Sequence, residues 1–446
     1  MVDERTRRLD APGEREPRQL RPGERVDDWI VVRVLGGGGF GTIYEARHAA
    51  TDQHTALKLL HAHLVGSAEI VARFHREATV IGRLHHPSIV ELVAVGVSGD
   101  GRPYLCMELL DGEDLASLIR RGGPMSGPQA LAVLEPVCAA LAAAHELGVV
   151  HRDVKASNVM VCRGPDGRRG RVVLLDFGIA KLSGALTVEL TASHQSLGTP
   201  SCMAPEQVHG RAVDARTDVY ALGTLAFYLL TGHMPFEDVS QTMTQYLHLH
   251  ARRPRVSHAA PVPARIDDVI ARAMAIEPVE RFSDPLSLLA ALRAALRDTA
   301  PIAAVEIADA AAILVTVRDA GTGLDEALLT DLEAVLPAAE RSLAGAGFAL
   351  ALDLGSSAVF AHHGCDVQHA VATALAVWDQ LAQRRHRDPR VRVGICVHRA
   401  SATFQGAEIR SGTLLQPATW GIPDELDGVW ATGAIAPGTP NATRLR

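Results

Sequence analysis

Hydrophobic and polar positions alternate in blocks along this chain, and the blocks change period. Residues 1–28 mix Asp and Glu with Arg and contain three prolines without any apolar period, which predicts a disordered charged tail. From Trp29 the pattern turns to β. Ile30–Leu35 runs into a glycine cluster, Thr42–Ala46 leads out of it, and Thr55–Leu60 is a third strand. Residues 67–84 take a helical period with Ser67 as N-cap, and Ile70, Phe74, Glu77 and Ile81 fall on one face. A second helix over 129–147 opens with Ser126-x-x-Gln129, a capping-box pattern, and stops at Gly148. Two short β runs, Val159–Cys162 and Arg171–Leu175, flank the turn residues Gly164–Gly167. Helices follow at 217–231, about 240–250, 265–275 and 285–297. Strands first and helices later predict a small β-rich lobe beside a larger helical one.

A linker is expected over 298–310, and the pattern then restarts. Strand 313–317, helix 324–343, strands 348–354 and 358–360, helix 366–384 and strand 391–397 give a β-α-β-β-α-β order over 311–435. That order fits a smaller ferredoxin-like α+β domain. Residues 436–446 are expected to be a disordered tail.

Composition narrows the class. A chain of 446 residues with 47% hydrophobic content is long enough for two or three packed domains. The net charge of −7 and the lack of a Lys/Arg-dense face argue against a nucleic-acid partner. The six cysteines are scattered without a CxxC pair, which suits buried thiols in a reducing compartment. Apolar runs stay short of the ~18–20 residues that span a bilayer, so a cytoplasmic chain without a membrane span is expected.

The chemistry concentrates in 151–178. An antiparallel hairpin brings its outer ends together, so Asn158 and Asp176 should lie side by side. An amide oxygen and a carboxylate there form a hard-oxygen site of the kind Mg²⁺ prefers when phosphates share its coordination. Asp153 adds a second carboxylate, placed to act as a general base toward a hydroxyl, and Lys155 can neutralise a transferring phosphoryl group. Gly36–Gly41 fits G-x-G-x-x-G but continues as a strand, so it reads as a glycine lid over phosphates or as a mobile hairpin tip. Glu77 sits in an apolar helix stripe. It either pairs with Lys58, on the third strand, or reaches past the stripe to solvent.

Taken in order, the Gly36–Gly41 turn, Lys58, Glu77, His151-Arg152-Asp153, Lys155, Asn158, Asp176-Phe177-Gly178 and Ala204-Pro205-Glu206 resemble the eukaryotic-type protein kinases. The likeness covers residues 29–297, and Gly198-Thr199-Pro200 resembles the bacterial serine/threonine branch. It implies a bilobal kinase fold followed by the ferredoxin-like domain, with ATP and Mg²⁺ (Mn²⁺ as the alternative) as cofactors and protein Ser/Thr side chains as substrates. It also implies roles. Asp153 would orient the substrate hydroxyl, Lys155 and Lys58 would stabilise phosphates, and Asn158 and Asp176 would hold the metal. Leu35, Gly36, Gly38, Gly41, Ile43, Ala56 and Met160 would surround ATP, with Met107 behind adenine and Glu108–Leu110 as the hinge. Ile81, Leu92, His151 and Phe177 would stack between the lobes, Glu206 would pair with Arg281, and Asp218 would anchor the catalytic loop. Cys202 departs from the family's usual aromatic.

Thr187, Thr191, Ser193 and Ser196 lie where such enzymes are autophosphorylated, and Arg152 would bind the product. Residues 311–435 faintly resemble class III nucleotide cyclases. Val317 and Gly355-Ser356-Ser357 stand where that family has metal carboxylates, so a non-catalytic regulatory role is expected, with a homodimer as one option. The contrasting reading is a nucleotide-binding signalling scaffold whose output is the C-terminal domain. His145-Glu146 with His151 has the wrong spacing for a zinc protease, and His362-His363-x-Cys365 reads as a solvated turn.

Overall fold

The computed structural model describes residues 19–445 apart from 165–168, 178–199, 237–240, 298–305, 320–325, 354–355, 386–389, 406–407, 416, 423–425, 433–434 and 436–442. Six strands open the chain: β1 (Arg25–Val26), β2 (Trp29–Gly37), β3 (Gly41–His48), β4 (His54–Leu60), β5 (Leu92–Val97) and β6 (Pro103–Glu108). They form one antiparallel sheet in the order β1-β2-β3-β4-β6-β5. The period-2 alternation gives the sheet two apolar faces. Val31, Tyr44, Leu57, Leu59 and Cys106 cluster on one. Leu60, Leu105 and Met107 cluster on the other with Ile70, Phe74 and Ala78 of helix α1 (Ala68–Ile81). Lys58 shares the parity of Leu60, so strand geometry alone turns it toward α1.

The large lobe contains β7 (Gly112–Asp114), α2 (Leu115–Gly122), α3 (Gly127–Glu146), β8 (Val159–Arg163), β9 (Arg169–Leu174) and α4 (Pro205–Val208). It continues through α5 (Ala215–Thr231), α6 (Gln241–His250), α7 (Val256–Ala259), α8 (Arg265–Ala273) and α9 (Pro285–Arg297). Gln129 Oε1 accepts from Ser126 N at 2.9 Å at the start of α3, as its sequence predicts, and Gly148 ends the segment with φ of 72°. α3 is apolar and long enough to cross a bilayer by length and composition alone. Here it is a core helix, with Val133, Leu134, Val137 and Leu141 buried. α5 is buried from Thr217 to Thr231 except at Tyr228, so the lobe is built around it.

The third unit has β10 (Glu306–Asp319), α10 (Glu326–Gly345), β11 (Ala349–Asp353), β12 (Ser357–His363), α11 (Val367–Arg385), β13 (Val391–Gln405), β14 (Glu408–Gly412), β15 (Gly428–Ala431) and β16 (Thr443–Arg444). Its sheet order is β11-β12-β10-β13-β15-β16, with β14 beside β13. The first four strands and two helices follow the β-α-β-β-α-β order read from the pattern.

Three boundaries differ from expectation. β1 lies inside the expected tail of residues 1–28, β10 starts at Glu306 inside the expected linker 298–310, and β16 lies inside the expected tail 436–446. The reason in each case is pairing with a neighbouring strand. The edge strands β1 and β16 pair Arg25 with Ile30 and Arg444 with Trp430, and β10 is carried back to Glu306 by its pairing with Phe404 of β13, so none of these residues needs an apolar period of its own. The large lobe and the third unit touch through α7, which packs on β11 and β14.

Candidate active site

The site forms where the sheet, α1 and the β8–β9 hairpin converge. Lys58 Nζ lies 3.0 Å from Glu77 Oε1 and 3.0 Å from Asp176 Oδ1. Of the two readings of Glu77, the pair with Lys58 is the one formed, and Glu77 is buried. Burial opposes the Lys58 charge, but Asp176 and Glu77 outweigh it and the ammonium pKa is raised. Burial pushes the Glu77 carboxyl up against the pull of Lys58, and Asp176 adds to the rise. One ammonium shared by two carboxylates leaves the site short of positive charge.

The hairpin register pairs Val159 with Leu174, and Leu175 N donates to the Asn158 carbonyl at 2.8 Å. This brings Asn158 beside the segment that carries Asp176. Asp176 has φ of 41° and Arg152 has φ of 68°, left-handed conformations that non-glycine residues rarely adopt. Both flank this polar cluster, and backbone strain of this kind commonly gathers at functional sites. Asn158 Nδ2 donates to the Asp153 carbonyl at 2.8 Å and to Asp153 Oδ2 at 3.0 Å. Its amide oxygen therefore remains as the acceptor. Lys155 Nζ lies 3.1 Å from Asp153 Oδ2. Lys58, Glu77 and Asp176 thus form one bonded triad and Asp153, Lys155 and Asn158 a second, and the Leu175–Asn158 backbone bond draws the two together.

Asp218 on α5 holds the loop from below. Its Oδ2 accepts from His151 N at 2.8 Å and its Oδ1 from Arg152 N at 2.8 Å. His145 Nε2 lies 2.7 Å from Asp218 Oδ2, a contact that sequence reading missed. Cys138, Leu141 and His145 fall at i, i+3 and i+7, so His145 shares a face with buried Cys138 and Leu141, which was the available signal. The His151 and Phe177 rings stand 4.6 Å apart, and Ile81 and Phe177 belong to one apolar cluster against which Leu92 packs. Arg281 is fully buried and grips Glu206 with two bonds of 2.8 and 2.7 Å, joined by Thr217 Oγ1 at 2.7 Å. Burial alone would raise the Glu206 carboxyl, but Arg281 holds it below the usual range.

The residues expected around ATP lie mostly in one sheet neighbourhood. Ile43 is opposite Lys58, Gly36 opposite Ile43, and Ala56 opposite Met107. Leu35 is exposed, Met160 and Leu110 are partly buried, and Glu108 pairs with Arg171 across the hinge. A Cβ at Gly36 or Gly38 would meet nothing within 4 Å, whereas at Gly41 it would lie 2.4 Å from the Leu59 carbonyl. Packing requires Gly41, but it does not require Gly36 or Gly38. Gly178 and the segment with Thr187, Thr191, Ser193 and Ser196 lie outside the described residues. His362 and His363 point to different neighbours, Phe348 and Phe404, and no cluster of three or more His, Cys, Asp or Glu side chains suited to a metal occurs among the described residues.

This fold and site define a protein kinase, and residues 29–293 match the protein kinase domain family. The chain belongs to that family. It is 40% identical over 285 residues to the serine/threonine-protein kinase Pkn1 of Myxococcus xanthus, covering 63% of this chain and 40% of Pkn1. It is 39% identical over 269 residues to PknF of Mycobacterium tuberculosis, covering 59% of this chain and 55% of PknF. The chain therefore spans about half the length of these curated relatives or less. The crystal structure of the M. tuberculosis PknI kinase domain superposes with a TM-score of 0.50 at 30% identity, covering 62% of this chain and 99% of that domain.

Proposed function

We propose that this protein transfers the γ-phosphoryl group of ATP to serine and threonine hydroxyls of proteins. The observation that carries this reading is the pair of triads Glu77–Lys58–Asp176 and Lys155–Asp153–Asn158, drawn together at the ends of the β8–β9 hairpin. Leu35, Ile43, Ala56 and Met160 enclose adenine, Met107 lies behind it, and the Glu108–Leu110 backbone meets its edge. Gly36 and Gly38 leave room for phosphate oxygens. Lys58, oriented by Glu77, holds the phosphates. The Asn158 amide oxygen and the Asp176 carboxylate are hard donors in a site short of positive charge, and both would hold Mg²⁺, with Mn²⁺ as the alternative. The bound cation supplies charge neutralisation on the phosphate oxygens. Asp153 accepts the proton of the attacking hydroxyl. The new O–P bond forms as the bond to the β-phosphate oxygen breaks, ADP leaves, and Lys155 offsets charge on the group in transit.

Arg152 is half-buried, and among the described residues it makes no ion pair. We place it as the donor that would bind a phosphate added to Thr187, Thr191, Ser193 or Ser196. All six cysteines are free, which fits work in the reducing cytoplasm. The third unit is read as regulatory, because buried Val317 leaves no carboxylate at the position where a cyclase would need one.

Transfer from radiolabelled ATP to myelin basic protein tests the proposal. Asp153→Asn should lower the rate by about 10²–10⁴ without loss of ATP binding. Undiminished transfer by Asp153→Asn would overturn the assignment. A chain that binds ATP but transfers nothing would establish the scaffold reading instead. Mass spectrometry of the ATP-treated protein should find phosphate within 179–199, and an unmodified segment would remove the role given to Arg152.

A further inference from the structure

Two cavities meet where the large lobe joins the third unit. The first, about 340 Å³, is walled by Met243 and Leu247 of α6 and by Val317, Leu332, Leu336 and Phe360 of the third unit. The second, about 210 Å³, shares Arg252, Leu350 and Glu340 with it and adds Arg253, Arg255 and His258. An apolar chamber therefore opens onto a mouth with three arginines and one glutamate. The chamber lies within the roughly 300–1,000 Å³ of small-molecule sites. Its lining is mostly apolar, so an apolar group gains by displacing water from it.

The mouth has unanswered charge. Arg253 donates to the carbonyls of Met274 (2.6 Å), Ala251 (2.7 Å) and His248 (3.0 Å), which fix its position without neutralising it. Among the described residues, Arg252, Arg253 and Arg255 make no ion pair with a carboxylate. Arg252 and Arg255 are exposed and keep their donors for an incoming group. A planar guanidinium pair is suited to a carboxylate or phosphate.

We propose that this junction binds a small anionic amphiphile, with its apolar body in the chamber and its carboxylate or phosphate at Arg252 and Arg255. The consequence for the enzyme runs through α6, and that half rests on the phosphotransfer reading above. Met243, Leu247 and His250 turn one side of α6 to the chamber. The helix also packs on α4 and on the Pro200–Cys202 turn beside the substrate groove. An occupant that repositions α6 therefore alters protein-substrate binding more than ATP binding.

Isothermal titration calorimetry on the full chain without ATP tests the binding half, using decanoate and decyl phosphate as probes and decanol and decyltrimethylammonium as controls. One saturable site is expected for the anionic probes, and the tighter of the two identifies the head group. Combining Arg252→Glu with Arg255→Glu should weaken both by about tenfold or more, roughly 1.4 kcal/mol. Leu336→Trp and, separately, Ala358→Met should fill the chamber and abolish binding, with thermal melting checking that each variant is folded. Absent binding, equal binding of all four probes, or unchanged binding in a folded chamber-filling variant would overturn the site. With decanoate bound, KM for the protein substrate should shift severalfold and KM for ATP should not. An unchanged substrate KM sinks the coupling and leaves the site. Absence of all transfer removes the coupling together with the phosphotransfer reading, while the calorimetry still decides the site.

Discussion

Gly38 and Gly41 occupy one turn for different reasons. A methyl at position 41 would sit 2.4 Å from the Leu59 carbonyl, while a methyl at 38 meets only open space. Gly41→Ala should therefore destabilise the small lobe by about 1–3 kcal/mol through overpacking. Gly38→Ala should leave the urea midpoint unchanged and raise KM for ATP. Equal effects of the two substitutions on stability would refute the distinction. The need of Glu77 for a partner was legible at this scale, because a carboxylate inside an apolar stripe is costly without one, but the pattern left both Lys58 and solvent open. The contact of Lys58 with Asp176 was not, since the two residues are 118 positions apart.

At the scale of elements, α5 works as a keel. Asp218 on it receives the backbone of His151 and Arg152, and Thr217 on it bonds Glu206, which Arg281 also holds. Removing one partner of a buried pair strands the other charge. Arg281→Met should cost about 3–5 kcal/mol, read by urea unfolding. A loss below about 1 kcal/mol would mean that the pair is not structurally required. Because Arg281 lowers the Glu206 pKa, the pair stabilises the fold fully above the ordinary carboxylate range, and that contribution is lost as pH falls from there down through the lowered pKa. Most elements were readable because their periods are long and clean. Short edge strands such as β1 and β16 were not, because two residues carry no period and their pairing is decided by the neighbouring strand.

For the whole molecule, α6 stands between the substrate side of the large lobe and the third unit. Its His248 is fully buried, 2.7 Å from the Tyr220 hydroxyl, and burial with nearby Arg253 pushes its pKa down to about 3. In the unfolded chain this imidazole takes a proton near its ordinary pKa of about 6.5, while in the folded protein it stays neutral. The unfolded state thus binds more protons between these values, and stability falls with decreasing pH by about 1.4 kcal/mol per unit below 6.5. His248→Gln keeps an acceptor for Tyr220 and should flatten this slope between pH 7 and 5. An unchanged slope would assign acid sensitivity to other groups.

The sequence by itself determined the family, the hairpin that brings Asn158 toward Asp176, and the carboxylate in the apolar stripe of α1. These depend on chain-local geometry: a hairpin joins its own ends, and a helix stripe exposes an unpaired charge within a few turns. Tertiary structure alone decided what meets across long separations. It set Lys58 against Asp176, placed His145 under Asp218, and brought the arginines of 252–255 to an apolar chamber whose far wall comes from another unit. Such contacts follow from how finished elements pack, and packing leaves no periodic trace in the order of residues.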